Sequence, residues 1–252
     1  MTIDYLQRGE IHIRTLVISD IHGCYLQFDA MLKQIKYNPD NDKLILLGDY
    51  VDRGLYSKDV VTKVIQLAKD YGVIALKGNH DDLMVDAFRN RGDSLWINNG
   101  GIMTTQSYAG YDFLEEGFDW DEHLRMKSLI LKNYPNHIDF LENLPLYYED
   151  DKHIYVHAGI NPEINDWKQQ SEEDFLWIRE DFYNNPTRES KTIVFGHTPT
   201  IYLHKSNNIW FGKGKHKGKI GIDGGCFHSS GQLNCLEISE DGKYKEHVIR
   251  KR

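Results

Sequence analysis

Six short runs rich in β-branched residues, at 15–19, 43–47, 73–76, 153–156, 192–195 and 219–222, each lead into Gly, Asp, His or Asn. Runs of this length and composition predict buried strands. Apolar residues at helical spacing lie between several of them: Phe28, Met31, Leu32 and Ile35, then Val60, Val61, Val64, Ile65 and Ala68. For the second helix Ser57 is the expected N-cap and Gly72 the expected C-terminal stop. Strands alternating with helices in the first third imply right-handed crossovers and a largely parallel sheet, whereas the closer strands later on imply an antiparallel or mixed second sheet. Residues 81–144 read as a mainly helical insert, broken around 92–101 and again at Pro135, which cannot continue a helix. The expectation is a layered α/β fold, one domain over residues 1–252.

Charge and cysteine content narrow the functions open to such a fold. A formal net charge of −8 argues against wholesale binding of nucleic acid or acidic membrane, so an anionic substrate has to be attracted locally. Cys24, Cys226 and Cys235 are odd in number in a chain large enough to need no staples, and free thiols are expected. Cys24 is expected to be a small buried residue beginning a helix. No stretch approaches the roughly 20 apolar residues that span a bilayer, and Met1 to Glu10 lacks the apolar run of a signal peptide. A cytoplasmic location follows as the expectation. The alternating Lys and Gly of 212–218 are expected in an exposed hairpin loop.

Ligands gather at the carboxyl ends of strands in open α/β sheets, and here those ends carry metal-binding residues. The first strand leads into Asp20-Ile21-His22-Gly23, whose carboxylate and imidazole, two residues apart in extended chain, can face one ion. The second leads into Gly48-Asp49-Tyr50-Val51-Asp52-Arg53-Gly54, with two carboxylates and a guanidinium in one turn. Asn79-His80-Asp81, His157 and His197 follow the next three. Carboxylate, imidazole and amide oxygen suit manganese, iron or zinc without any cysteine. A paired site would hold its ions about 3.5–4 Å apart. Alone, each of these residues is more often a cap, a turn former or a satisfied core histidine; the ordered series reverses that weighting.

In this order and spacing, Asp-x-His-Gly, Gly-Asp-x-Val-Asp-Arg-Gly, Gly-Asn-His-Asp, a later His and Gly-His-Thr resemble the PPP family of metallophosphoesterases, with the bacterial and bacteriophage lambda type of serine/threonine phosphatase nearest, over about residues 15–236. The resemblance implies a calcineurin-like β-sandwich flanked by helices. It implies two divalent ions, with manganese expected and iron or zinc as alternatives. Asp20, His22 and Asp49 would hold the first; Asp49, as bridge, with Asn79, His157 and His197 would hold the second. It makes His80 the general acid, oriented by Asp52, and gives Arg53 and Arg179 the task of gripping phosphate. The implied reaction is in-line attack on phosphorus by a metal-bridging hydroxide. For Arg179, on an expected helix, pairing with Glu173 or Glu180 is the competing reading.

The substrate is less constrained. Lys77-Gly78-Asn79-His80-Asp81 departs from the Arg-Gly-Asn-His-Glu of eukaryotic relatives, and 96–108 resembles the corresponding segment of diadenosine tetraphosphate hydrolases. Those hydrolases tend to carry Ala where this chain has Asp52, which favours a phosphoprotein over a dinucleotide. A phosphoprotein or phosphorylated small molecule is thus the expected partner, a nucleotidase the alternative, and a non-catalytic metal-binding regulator the weaker one. Oligomeric state is left open.

Overall fold

The computed structural model describes residues 14–110 and 117–251. Met1 to Glu10, His12 and residues 111–116 of the expected insert lie outside them.

The chain opens with strand β1 (Arg14–Ile18), helix α1 (Tyr25–Gln34), strand β2 (Asp42–Leu46), helix α2 (Ser57–Tyr71) and strand β3 (Ile74–Ala75). The pairs β1/β2 and β2/β3 are parallel, as two helical crossovers require. The insert follows as α3 (Asn79–Phe88), α4 (Asp93–Trp96), a π turn over 97–101, α5 (Ile102–Ala109), α6 (Trp120–Asn133) and α7 (Pro135–Glu142). Then come β4 (Tyr147–Glu149), β5 (His153–Val156), α8 (Glu172–Trp177), α9 (Glu180–Tyr183), β6 (Thr192–Phe195), α10 (Thr200–His204), β7 (Trp210–Phe211), β8 (Lys219–Gly221), β9 (Gln232–Ser239) and β10 (Tyr244–Arg250).

Two five-stranded sheets result, ordered β10-β9-β1-β2-β3 and β4-β5-β6-β8-β7. The period of two in each strand sorts side chains between layers. Val17, Ile45 and Leu47 meet Tyr155, Val194 and Ile220 between the sheets. Leu16, Ile18, Leu44 and Leu46 turn outward onto Phe28, Met31, Val60 and Val64 of the flanking helices. Ile154, Val156, Ile193 and Phe195 turn outward onto Trp167, Phe175 and Phe182. The central strands β1, β2, β5 and β6 are buried on both faces, which is why they read as continuous apolar runs. The second sheet is mixed as expected, parallel at β5/β6 and β6/β8 and antiparallel at β4/β5 and β7/β8. Among the described residues no helix is long and apolar enough to cross a membrane.

Local expectations held unevenly. Gly72 stops α2 in the left-handed region at φ 66°, and its N–H reaches Ala68 O. Ser57 is not the N-cap: Tyr56 is, and the buried Ser57 hydroxyl lies 3.1 Å from Thr104 of the insert instead of on a free helix amide. The break at 92–101 is only partial, because α4 and the π turn carry helical backbone through most of it. Pro135 does end one helix, and it starts α7 at a first-turn position where its missing N–H has no partner to lose. The 212–218 stretch joins β7 to β8 as a hairpin connection. All three cysteines are free and buried, Cys24 at the start of α1.

The hairpin β9–β10, which places two antiparallel strands beside β1, was not anticipated. Polar Gln232, Asn234 and Glu237 interrupt its pattern. The first two are buried, Gln232 Nε2–H donating to Asn234 Oδ1 at 2.8 Å, and Glu237 accepts from Arg14 at 3.0 Å.

In the insert, the Tyr108 hydroxyl and Nδ1 of buried His137 share a hydrogen bond at 2.8 Å. Burial, then Lys58, pushes the His137 pKa from 6.5 down to about 4. The folded state keeps this ring neutral while the unfolded chain protonates it below pH 6.5, so stability is lost as pH falls from 6.5 toward 4. The loss is progressive across that window. Urea titrations of the wild type and His137→Gln at pH 7 and pH 4.5 should show a smaller acid loss in the variant; equal losses would exclude this contribution.

Candidate active site

The parallel strands of both sheets end on one edge, and the loops leaving β1, β2, β3, β5 and β6 are cross-tied there. Asp20 N–H donates to Gly48 O at 3.2 Å, His22 N–H to Asp49 O at 2.8 Å, and Gly196 N–H to His157 O at 2.8 Å. Packing this tight needs unusual backbone. Asp20, His22, Asp49, Asp52, Arg53 and His197 all have φ between 45° and 70°, a region that non-glycine residues enter rarely and at a cost. Gly48 shows the crowding directly: its φ is 100°, and a Cβ there would sit 2.4 Å from the Gly78 nitrogen.

Hydrogen bonds to the backbone fix the tautomers of the histidines. His22 Nδ1–H donates to Val51 O and His157 Nδ1–H to Leu47 O, each at 2.8 Å, which leaves both Nε2 lone pairs facing inward. His197 reverses the assignment, donating from Nε2 to Trp177 O at 3.3 Å and turning Nδ1 inward. These lone pairs converge on other acceptors. His157 Nε2 and His197 Nδ1 both stand 2.9 Å from Asn79 Oδ1. Asp49 faces two ways, Oδ2 at 3.3 Å from His22 Nε2 and Oδ1 at 3.5 Å from His157 Nε2. The ligand atoms of His22, Asp49 and His80 lie within 4.8 Å of one another, and so do those of Asp49, His157 and His197.

Acceptors that point at one another repel unless a cation lies among them. Burial pushes His22 and His197 well below the ordinary histidine range, so both are neutral near pH 7. Burial works to raise the Asp49 carboxyl, but the surrounding imidazoles, His157 and His80 first, outweigh it and bring Asp49 far below the usual carboxylate range. Burial raises Asp20, Asp52, Asp81 and Asp223. Carboxylates, imidazoles and an amide oxygen, with Asp49 shared between two groups, fit a pair of divalent ions.

Asp20 stands apart from the two closest groups: its carboxylate takes the Ser19 hydroxyl and, at 3.1 Å, the N–H of His197. His80 donates from Nδ1 to Asp52 Oδ2 at 2.8 Å and exposes Nε2 to the site. Arg53 bridges His22 Nε2 at 3.0 Å and His80 Nε2 at 2.7 Å, while its guanidinium lies 4.4 Å from the Phe227 ring centre. Arg179 is not helical. It sits between α8 and α9 with φ −132° and ψ −96°, and its guanidinium donates to His197 O at 2.8 Å rather than pairing with Glu173 or Glu180. The ten residues singled out in the sequence thus meet on one edge of the molecule.

Residues 13–223 match the model of the calcineurin-like phosphoesterases. The chain belongs to that family. As a calcineurin-like phosphoesterase it is a hydrolase with a divalent metal centre, and the cage of Asp49 and its histidines is where this chain assembles metal-binding groups. It is 28% identical over 237 residues to serine/threonine-protein phosphatase 2 of Salmonella typhimurium, across 91% of this chain and 95% of that protein. It is also 28% identical over 248 residues to the asymmetrical bis(5'-nucleosyl)-tetraphosphatase PrpE of Anoxybacillus flavithermus, across 89% of this chain and 90% of that one. The crystal structure of a candidate diadenosine tetraphosphatase shares the fold with a TM-score of 0.64 and 20% identity, over 94% of both chains.

Two carboxylates of the site escaped the sequence reading. Asp81 was quoted within the strand-end motif and as a departure from the eukaryotic one but received no role, yet it is fully buried and accepts from Asp49 N–H at 2.8 Å, Tyr50 N–H at 3.0 Å and Gly78 N–H at 2.9 Å. Asp223, also buried, faces Asp20 and accepts from Gly225 N–H at 2.8 Å. It directly follows the expected strand at 219–222, so the rule that found the other strand-end residues applies to it as well.

Proposed function

We propose that this phosphoesterase is a serine/threonine phosphoprotein phosphatase. The observation that carries the reading is the buried Asp52–His80 pair, with His80 Nε2 presented to the site. A serine or threonine alkoxide is a poor leaving group that needs a proton as the P–O bond breaks, whereas a nucleotide leaving from a phosphoanhydride departs without one. A fixed proton donor is therefore worth most to an enzyme that cleaves alkyl phosphomonoesters. Relatedness to a Salmonella serine/threonine-protein phosphatase along nearly its whole length supports the same reading.

In this proposal Asp20, His22 and Asp49 hold one ion, and Asp49, Asn79, His157 and His197 the other, with manganese the expected metal. Bound there, the ions supply Lewis acidity at the phosphate oxygens and make water a competent nucleophile near neutral pH. The chain does the rest. Arg53 leaves its two imidazole acceptors for the phosphate oxygens, and Arg179, tied to the His197 loop, grips the same group from the other side. Asp52 holds His80 in one tautomer and stabilises its charged form, so that Nε2 delivers the proton to the departing oxygen.

The second reading, a dinucleoside tetraphosphate hydrolase, draws on the equal identity to the PrpE tetraphosphatase. Metal-stripped protein given manganese, with a phosphoserine peptide and diadenosine tetraphosphate in competition, separates the two by the ratio of kcat/KM. His80→Asn should cost about 10²-fold on the peptide while manganese binding persists. A ratio favouring the dinucleotide, with little loss in His80→Asn, would move the protein to the second reading.

A further inference from the structure

We propose that Trp96 and Thr104, both contributed by the helical insert, are positioning residues for the proton donor and act on it through Asp52. The inference rests on the reading of His80 as general acid. Asp52 is fully buried and divides its carboxylate between two tasks. Among the described residues Oδ2 accepts only the His80 Nδ1–H, whereas Oδ1 accepts the Trp96 indole N–H at 2.9 Å and the Thr104 hydroxyl at 2.8 Å. Thr104 has a second hold, since its oxygen accepts the Asp52 N–H at 2.8 Å. One hydroxyl therefore clamps both the left-handed backbone of Asp52, at φ 70°, and its side chain.

The donors are themselves rigid. Trp96 and Thr104 are fully buried. The Trp96 ring packs edge-on against Phe88 at 5.4 Å between centres and lies against the backbone of Gly101, where a Cβ would come within 2.4 Å of it. The Thr104 hydroxyl lies 3.1 Å from the buried hydroxyl of Ser57 on α2, so the clamp joins the insert to the α/β body. A carboxylate whose only partner was His80 could rotate and take the imidazole with it. With Oδ1 fixed at two points, Oδ2 and the ring it orients have one position. The insert thus belongs to the proton-delivery apparatus.

A defect confined to proton delivery depends on the leaving group, and a general structural defect does not. The test is kcat on manganese-loaded full-length protein across substituted aryl phosphates, from dinitrophenyl to unsubstituted phenyl, for the wild type, Trp96→Phe, Thr104→Val, Thr104→Ser and His80→Asn. Trp96→Phe and Thr104→Val should lose about tenfold on phenyl phosphate and under about twofold on the dinitrophenyl ester, giving a steeper dependence on leaving-group basicity. Thr104→Ser, which keeps the hydroxyl, should recover most of the loss. Should Trp96→Phe fail to fold, the near-isosteric Thr104→Val and its Ser counterpart carry the same comparison. Uniform losses along the series, with His80→Asn still selective for poor leaving groups, would overturn the positioning role and leave the acid in place. A uniform loss in His80→Asn would remove the acid assignment, and this inference with it.

Discussion

Asp49→Asn is expected to lower kcat/KM with manganese by about 10³-fold or more, equivalent to about 4 kcal/mol of transition-state stabilisation. Asp49 faces His22 with one oxygen and His157 with the other, so it is the residue common to both metal-binding groups. Asparagine matches its volume and tolerates its left-handed backbone at φ 56°, so the change removes charge with little effect on shape. In the metal-free protein the loss of the Asp49 charge relieves its repulsion of Asp20, Asp81 and Asp223 but also removes its attraction to the surrounding imidazoles, so only a small change in stability is expected. The loaded protein should behave differently. Manganese at about a hundred times its Kd stabilises by about 2.7 kcal/mol, which in a chain of this size shifts Tm by about 5–10 °C. Differential scanning calorimetry with and without manganese should find that shift in the wild type and not in Asp49→Asn. A variant that kept both the shift and the turnover would remove Asp49 from the bridging position.

Asp81→Ala is expected to destabilise the fold by about 4 kcal/mol, because it strands three buried amides that each cost about 1–3 kcal/mol when unpaired. The sum is discounted because Asp81 repels Asp49, and removing that repulsion returns part of the loss. The donors belong to Asp49, Tyr50 and Gly78, so Asp81 ties the loop after β2 to the start of α3, where Asn79 and His80 lie. Asp81→Asn keeps one oxygen acceptor and should fall between the two. Urea denaturation of the metal-free proteins measures the ranking. A loss below about 1 kcal/mol in Asp81→Ala would mean that water replaces the carboxylate at this turn.

Most of the candidate residues that the structure gathers, Asp223 and the role of Asp81 apart, were legible in the sequence because they are local: a carboxylate, imidazole or amide soon after a strand, on the edge where strand ends gather. The crossover order of the first sheet was legible for a similar reason, since alternating helices and strands admit few connections. The hairpin β9–β10 was not, because its buried Gln232 and Asn234 are satisfied by partners distant in sequence, and no apolar period marks them. Arg179 was placed on a helix by pattern and found between two, its guanidinium claimed by the loop of His197. The Ser57 hydroxyl was read as a cap and found against Thr104, which only the docking of the insert could decide.

By itself the sequence determined which groups are available and at which strand ends they stand, because strand period and turn chemistry are properties of neighbouring residues. Only the tertiary structure decided how they face one another. Asp49 is shared because both sheets bring histidines to it. The imidazoles present the nitrogens they do because carbonyls of Leu47, Val51 and Trp177 take the others. Asp52 has one orientation because the insert supplies Trp96 and Thr104. Each of these depends on a hydrogen bond between segments far apart in the chain, formed only once the layers have packed.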